Sequence, residues 1–518
     1  MSDLEVVLGL LVVVAALATV ARRLAVPPPI LMLLGGIALG FVPGLPSVAL
    51  DPNIVFLLFL PPLLYVAAVF APLRDYKTNA RAIGLLAVGL VLVTAAAVAA
   101  VARVLLPSLG WAQAFALGAI VAPPDAVAAT SILQRIGVPQ RIVAILEGES
   151  LLNDATALVT YRLALAAAAS GTFSAGDAVL SFLLVAIGGV AIGLVVGVSA
   201  AGIRLRLRDT PVSITVSILT PFAAYLVAER LGVSGVLATV TTGLYIGRRL
   251  SVLSSEDRVA GSAVWQTINF LLNGILFTLI GMQLPAIIRG LEDHQLGEAV
   301  GLAAAIALVV IGVRFAWVFP TAYLPRWVGG AFGSGDPRPP ARVVTIVAWA
   351  GLRGAVSLAA ALALPLQFPQ RDLLIFITFC VIAATLIGQG LTLPLLARQL
   401  GVVATQDVEH EEAHARAALA EVALTKMPEL RVRWPGHIEL IDRLQAEYEH
   451  RALHSEEHHD GELGEADREL FEHRQMKQEL IDAEREAARE MHGRSAISDE
   501  VLRRLERDLD LAELRAGV

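Results

Sequence analysis

The chain has 518 residues, 56% hydrophobic and 17% charged, with a formal net charge of −7 and a mean hydropathy of +0.68. These averages hide two unlike parts: residues 1–403 hold run after run of 18 or more apolar residues, the length that crosses ~30 Å of hydrocarbon, whereas residues 404–518 are rich in Glu, Arg, His and Ala and contain no stretch able to span. The single cysteine, Cys380, excludes an intrachain disulfide, the absence of a G-x-x-x-x-G-K-[ST] phosphate loop disfavours an ATP-driven pump, and the negative charge, mostly the tail's, gives no ground for a nucleic-acid partner.

The first 22 residues are apolar but lack a basic n-region and a clear cleavage site, so they read as a first span and not as a removed signal peptide. Hydropathy then predicts an all-α integral membrane protein of thirteen segments, at about 4–21, 28–42, 53–72, 82–106, 112–133, 142–169, 177–202, 211–228, 232–247, 262–288, 297–324, 342–366 and 372–397. Basic residues concentrate in the connections after odd-numbered segments, from Arg22 and Arg23 through Arg204, Arg206 and Arg208 to Arg398. By the positive-inside bias this places the N-terminus outside and the C-terminus in the cytoplasm.

With that orientation, a rise of ~1.5 Å per residue gives depths from the cytoplasmic face. Glu149 and Asp154 of the sixth segment lie ~12 and ~20 Å in, Arg353 of the twelfth ~16 Å, and Asp125 of the fifth ~15 Å. Charges at such depth are expensive and mark functional sites by default. The fifth segment is interrupted by Pro123 and Pro124, which lack backbone donors, and the twelfth by Gly351 and Gly354 around Arg353. Paired interruptions of this kind point to an inverted-repeat transporter with its site at the breaks. The repeats would cover about 4–169 and 211–397, with 177–202 linking them. Asp125 would then compensate the N-terminal half-helix ends and Arg353 the C-terminal ones.

On a helix, Glu149 shares a face with Asn153, and Ser150 with Asp154, while Glu149 and Asp154 point ~140° apart. Glu149 is therefore expected to pair with Arg353 as a structural clamp, leaving Asp154 free to hold a proton or a small cation. Asn153 adds no second charge, which favours one proton exchanged per monovalent cation.

The stretches A-P-P-D-A-V (122–127), G-E-S-L-L-N-D (148–154), S-G-V-L-A (234–238), L-L-N-G-I-L-F-T-L-I-G-M-Q-L-P (271–285), G-L-R-G-A-V-S-L-A (351–359) and G-Q-G-L-T-L-P-L (388–395) resemble the monovalent cation:proton antiporter-1 family, the bacterial and eukaryotic sodium/proton exchangers. The I-S-D-E-V-L-R-R-L-E-R-D-L-D-L stretch at 497–511 is similar to the tails of bacterial members. The resemblance implies a thirteen-helix inverted-repeat fold in the bacterial inner membrane, a homodimer in contact with lipid, and electroneutral exchange of Na⁺, or Li⁺ or K⁺, for H⁺ in pH homeostasis, with no cofactor. By motif, Asp154 carries the Na⁺ or the proton, Asn153 and Ser150 line the site, Asp125 sits at the helix crossing, and Glu149 and Arg353 form the buried pair. Many members have Thr just before the aspartate of the fifth segment. Pro124 stands here, so that helix would offer the ion only backbone carbonyls, and Na⁺ and K⁺ both stay open as cargo.

Other polar residues invite plainer readings. Glu147 lies near the cytoplasmic mouth, Cys380 reads as core filler, and Asn269 and Asn273 are four apart and suited to hydrogen bonding between helices. Arg314 reads as snorkelling or closing an inter-helix contact, with no transport role. Nine of the ten histidines lie beyond residue 409, which admits a pH sensor or a solvated helical tail; Glu457-His458-His459-Asp460 has no fixed metal geometry. Helices over 465–515 are expected to break near Gly493, with an N-cap at Ser498. A non-transporting sensor signalling through the tail is the reading from another class, and the Asn153-Asp154 pair argues against it.

Overall fold

The computed structural model describes residues 3–24, 26–43, 51–171, 175–291, 296–329, 339–402, 407–456, 465–494, 496 and 498–516. Among these residues all regular structure is helical. The chain divides into two compact units, Met1–Val403 and Ala404–Val518.

The first unit contains α1 (Asp3–Arg23), α2 (Pro28–Gly40), α3 (Pro52–Val69), α4 (Ala80–Leu105), α5 (Trp111–Val121), α6 (Ala126–Ile136), α7 (Gln140–Ser170), α8 (Ala175–Arg204), α9 (Thr210–Arg230), α10 (Gly235–Gly247), α11 (Ser255–Arg289), α12 (Leu296–Gly329), α13 (Ala341–Trp349), α14 (Ala355–Leu362) and α15 (Arg371–Gln399). Among the described residues, eight helices are long and apolar enough to cross a membrane, with α5 and α6 taken as one; α2 and α10 are shorter apolar helices. Helix is what such sequences must form in hydrocarbon, because every backbone donor and acceptor has to be satisfied within its own segment.

Local signals set the ends. Asp209, Ser234 and Ser254 accept from Val212, Leu237 and Asp257 backbone N–H groups at 3.2, 3.2 and 3.1 Å, capping α9, α10 and α11. Helix α7 starts after Pro139 and stops at Gly171, whose φ of +70° is left-handed. The chain leaves the helix at Pro123–Asp125, between α5 and α6, and at Ala350–Gly354, between α13 and α14.

Two packed groups result. In one, α2 crosses α11, α10 lies against α3 and α8, and α9 packs on α10. The α2–α11 crossing depends on Gly36 and Gly281: a Cβ on Gly36 would strike the Thr278 carbonyl, and one on Gly281 would strike backbone at Leu33 and Ile37. This group also encloses polar residues. The Arg204 Nε donates to Ser213 Oγ at 3.2 Å, which donates to Asp257 at 3.1 Å, and Trp265 Nε1 donates to Ser217 Oγ at 3.1 Å.

In the other group α7 packs on α4, α5 and α6, α12 on α4, α13 and α15, and α14 on α5 and α15. Two of its helices contain a π-turn, Leu85–Leu90 in α4 and Ala384–Gln389 in α15. The Leu85 carbonyl, at the head of the first, accepts the Trp317 indole N–H of α12 at 3.0 Å.

In the second unit, α16 (Asp407–Thr425) and α17 (Met427–Arg433) precede α18 (Ile438–Glu456), which packs on α16, and α19 (Glu465–Gly493) pairs with α20 (Asp499–Ala516). Ser498 Oγ accepts the Val501 N–H at 3.3 Å and so starts α20. Asp510, at 2.6 Å, and Glu513 bind Arg485 and hold its guanidinium firmly in the charged form. The Glu457-His458-His459-Asp460 stretch lies outside the described residues.

Candidate ion site at the crossing of two broken helices

At the first break the chain leaves the helix at Pro123 and Pro124. The Asp125 and Ala126 N–H groups, which would have served the Val121 and Ala122 carbonyls, bond instead to the Leu352 carbonyl and Ser150 Oγ, so these carbonyls at the end of α5 are left without helical partners. Arg353, from the other break, supplies donors. Its Nε binds the Val121 carbonyl at 3.0 Å and its Nη2 the Ala122 carbonyl at 3.2 Å, while Nη1 returns to the Gly351 carbonyl. A cation thus sits on the negative end of a helix dipole. Its own backbone N–H is taken by Thr385 Oγ1 of α15 at 3.1 Å.

Asp125 works at the opposite polarity. Its carboxylate accepts the Val127 N–H at 2.8 Å, capping α6, and its backbone N–H donates to the Leu352 carbonyl at 2.6 Å, joining the two breaks directly. Gly354 lies flush on this carboxylate, and a Cβ there would overlap it. Gly354→Ala is accordingly expected to displace Asp125 or part the breaks, at the ~1–3 kcal/mol typical of overpacking. Thermal unfolding in detergent measures this, and a melting temperature equal to the parent's would show that the breaks are not in contact.

Helix α7 is bonded to the same crossing. Asn153 Nδ2 donates to the Pro124 carbonyl at 2.8 Å, and Ser150 Oγ accepts the Ala126 N–H at 3.3 Å. Asn153 Oδ1 is buried and has no partner among the described residues. Asp154, 8% exposed, forms no hydrogen bond or ion pair with the described residues. It lines a cavity of about 570 Å³ whose wall also includes Glu147, Ser150, Asp125, Asn273 and Ser357. The cavity reaches Gln134 and Gln140, which are exposed at one end of the bundle. Asn273 and Asn269 come from α11 of the other helix group, and Asn273 Nδ2 donates to Asn269 at 2.9 Å. That bond lies within one helix and not between helices.

The expected Glu149–Arg353 pair does not form. Glu149 is held by Arg314 of α12, whose Nη1 and Nη2 reach its two carboxylate oxygens at 2.5 and 2.8 Å, with both side chains 1% exposed. Arg314 also donates to the Val347 carbonyl of α13, at 3.2 Å from Nε and 3.1 Å from Nη2. The physical reason is competition for donors. Bare carbonyls at the first break occupy Arg353, and the second deep arginine takes the carboxylate in the two-pronged geometry that guanidinium favours. Depth in the sequence was the available signal: Arg314 lies about twelve residues, ~18 Å, above Arg326.

A buried carboxylate without a counterion among the described residues, on the wall of a cavity shared with two interrupted helices, fits a membrane-embedded secondary transporter, and comparison with known proteins agrees. The chain belongs to the sodium/hydrogen exchanger family: the model of that family's transmembrane region matches residues 9–399. An uncharacterized Na⁺/H⁺ exchanger of Mycobacterium tuberculosis is 36% identical over 98% of this chain and 96% of its own length. A sodium, potassium, lithium and rubidium/H⁺ antiporter of Bacillus pumilus is 33% identical over 82% of this chain and 66% of its own length. The fold matches the sodium proton antiporter MjNhaP1 of Methanocaldococcus jannaschii with a TM-score of 0.61, at 19% identity, over 77% of this chain and 98% of that one. The chain is therefore a multi-pass membrane antiporter of monovalent cations and protons.

Proposed function

We propose that the protein exchanges one Na⁺ for one H⁺ at Asp154 by alternating access. The observation that carries this reading is the Asp154 carboxylate, nearly enclosed at the cavity wall and unpaired among the described residues. A carboxylate there is neutralised either by a proton or by an alkali cation, and because one group serves both, the two cannot be held together. Loading from one side and release to the other then couples the gradients. With Asn153 neutral beside it and Glu149 balanced by Arg314, a single negative charge is exchanged between the two cargoes, so each half-cycle carries the same net charge.

Asn153, Ser150 and Asp125 set the shape of the site around Asp154, with Pro123, Pro124, Gly351 and Gly354 opening the helices there. We further infer two inverted repeats over about 4–169 and 211–397 in a transport domain of residues 1–403, a charged cytosolic tail over 404–518, an external N-terminus and a bacterial inner-membrane location as a homodimer. The distribution of basic residues among the connections supports the orientation. K⁺/H⁺ exchange is the second reading. It is favoured by Pro124, which offers no side-chain oxygen, and by the Bacillus relative, whose name includes potassium beside sodium, lithium and rubidium.

Proteoliposomes holding the purified protein and a pH-sensitive dye test the proposal. Na⁺ pulses are expected to drive proton movement whose rate is unchanged by an imposed membrane potential, and Li⁺, K⁺ and Rb⁺ pulses rank the cargoes. Voltage-dependent exchange would overturn the one-for-one stoichiometry, and response to K⁺ alone would replace Na⁺ as cargo.

A further inference from the structure

Many buried hydroxyls in these helices donate to the carbonyl one turn earlier. Thr130 donates to Ala126, Thr378 to Leu374 and Thr385 to Val381, at 2.9, 2.8 and 2.8 Å. Ser357 is the exception in α14. It is 2% exposed, and its Oγ has no partner among the described residues. The cause is its place in the chain. It is the third residue of α14, and the residue four earlier, Arg353, lies in the non-helical break, so no carbonyl stands beneath it. An unmet buried hydroxyl destabilises the fold. Thr94 Oγ1 of α4 also lacks a partner among the described residues, but only Ser357 of the two lines the cavity, where a mobile partner can reach it.

Its surroundings indicate which partner. Ser357 is part of the same cavity wall as Asp154, Asp125 and Ser150. Its neighbour Val356 packs on the cluster containing Leu151 and Ala155, the α7 residues that bracket Asp154. Gly354, three residues before it, abuts the Asp125 carboxylate. The first turn of α14 therefore abuts Asp125, shares a cavity wall with Asp154 and presents an oxygen with free lone pairs.

Resting on the assignment of Asp154 as carrier, we propose that Ser357 Oγ is a ligand of the transported cation and a determinant of cation affinity. A hard alkali ion stripped of water needs neutral oxygens in addition to a carboxylate, as oxygen-bound cations generally do. A proton on Asp154 forms a covalent O–H bond and needs no such ligand. The hydroxyl therefore favours one cargo over the other at a shared site.

The test uses Ser357→Ala, Ser357→Thr and Asp154→Asn in the full-length protein. In proteoliposomes Ser357→Ala is expected to raise the half-saturating Na⁺ concentration roughly tenfold, equivalent to about 1.4 kcal/mol, with the rate at saturating Na⁺ kept within about twofold. Ser357→Thr, which retains the hydroxyl, stays near the parent. Without Na⁺ the alanine variant melts at or above the parent's temperature, because an orphan polar group has been removed, while the rise in melting temperature produced by Na⁺ shrinks. An unchanged half-saturating concentration, or a lowered melting temperature in sodium-free buffer, would assign the hydroxyl to packing and overturn the proposal. Asp154→Asn separates the two claims. If that variant still exchanges, the carrier assignment falls; if it is inactive and Ser357→Ala matches the parent, only the role of Ser357 falls.

Discussion

Asp154→Asn is expected to reduce cation-driven proton movement in proteoliposomes to the level of protein-free vesicles. The amide has nearly the same shape, so the cavity and its hydrogen bonds remain, but it neither takes up and releases a proton at neutral pH nor holds a cation by charge. Stability should not suffer. Asp154 has no counterion among the described residues, and removing an unpaired charge from a low-dielectric wall relieves a desolvation cost. The paired measurement is therefore exchange together with melting in detergent: inactive, and at least as stable as the parent. Exchange that persisted would dissociate Asp154 from transport, and a collapsed fold would make it a structural residue.

The second large effect concerns stability. Arg314→Ala leaves Glu149 ionised with no partner at 1% exposure, a situation that costs ~3–5 kcal/mol when one member of a buried pair is deleted. Replacing both members, as Arg314→Met with Glu149→Leu, is expected to recover much of the loss, since apolar residues of similar volume often match a buried pair. Removing Arg353 acts elsewhere, at the Val121 and Ala122 carbonyls. A double-mutant cycle on melting free energies separates these cases. Strong coupling of Glu149 to Arg314 and weak coupling to Arg353 is the expected pattern, and the reverse would restore the pairing that the sequence suggested.

That reversal shows where sequence reading stops. Apolar runs were legible because lipid permits so few backbone solutions, and the family was legible from motifs spread from Ala122 to Leu395. Asp154 stood out because an acid inside such a run has few ordinary explanations. Partner choice was not legible. Two arginines lie at similar depth, and counting residues gives depth but not the direction a side chain points. What decides between them is the pair of carbonyls, Val121 and Ala122, left open where α5 ends, and these gain a location only when α5 meets the second break. The orphaned hydroxyl of Ser357 was hidden for the same reason. Whether a serine reaches a carbonyl one turn back depends on where the helix begins.

The bonds around the crossing have a mechanical consequence. Asn153 and Ser150 fasten α7 to the first break and to the start of α6, Asp125 and Arg353 fasten that break to the second, Arg314 ties α7 to α12 and α13, and Thr385 brings in α15. Sliding α7 or either break past its neighbours would sever several of these links together, so internal shear is a stiff direction of this block. An ion held at Asp154, as proposed, would be carried with the scaffold around it, as a stone is with its setting.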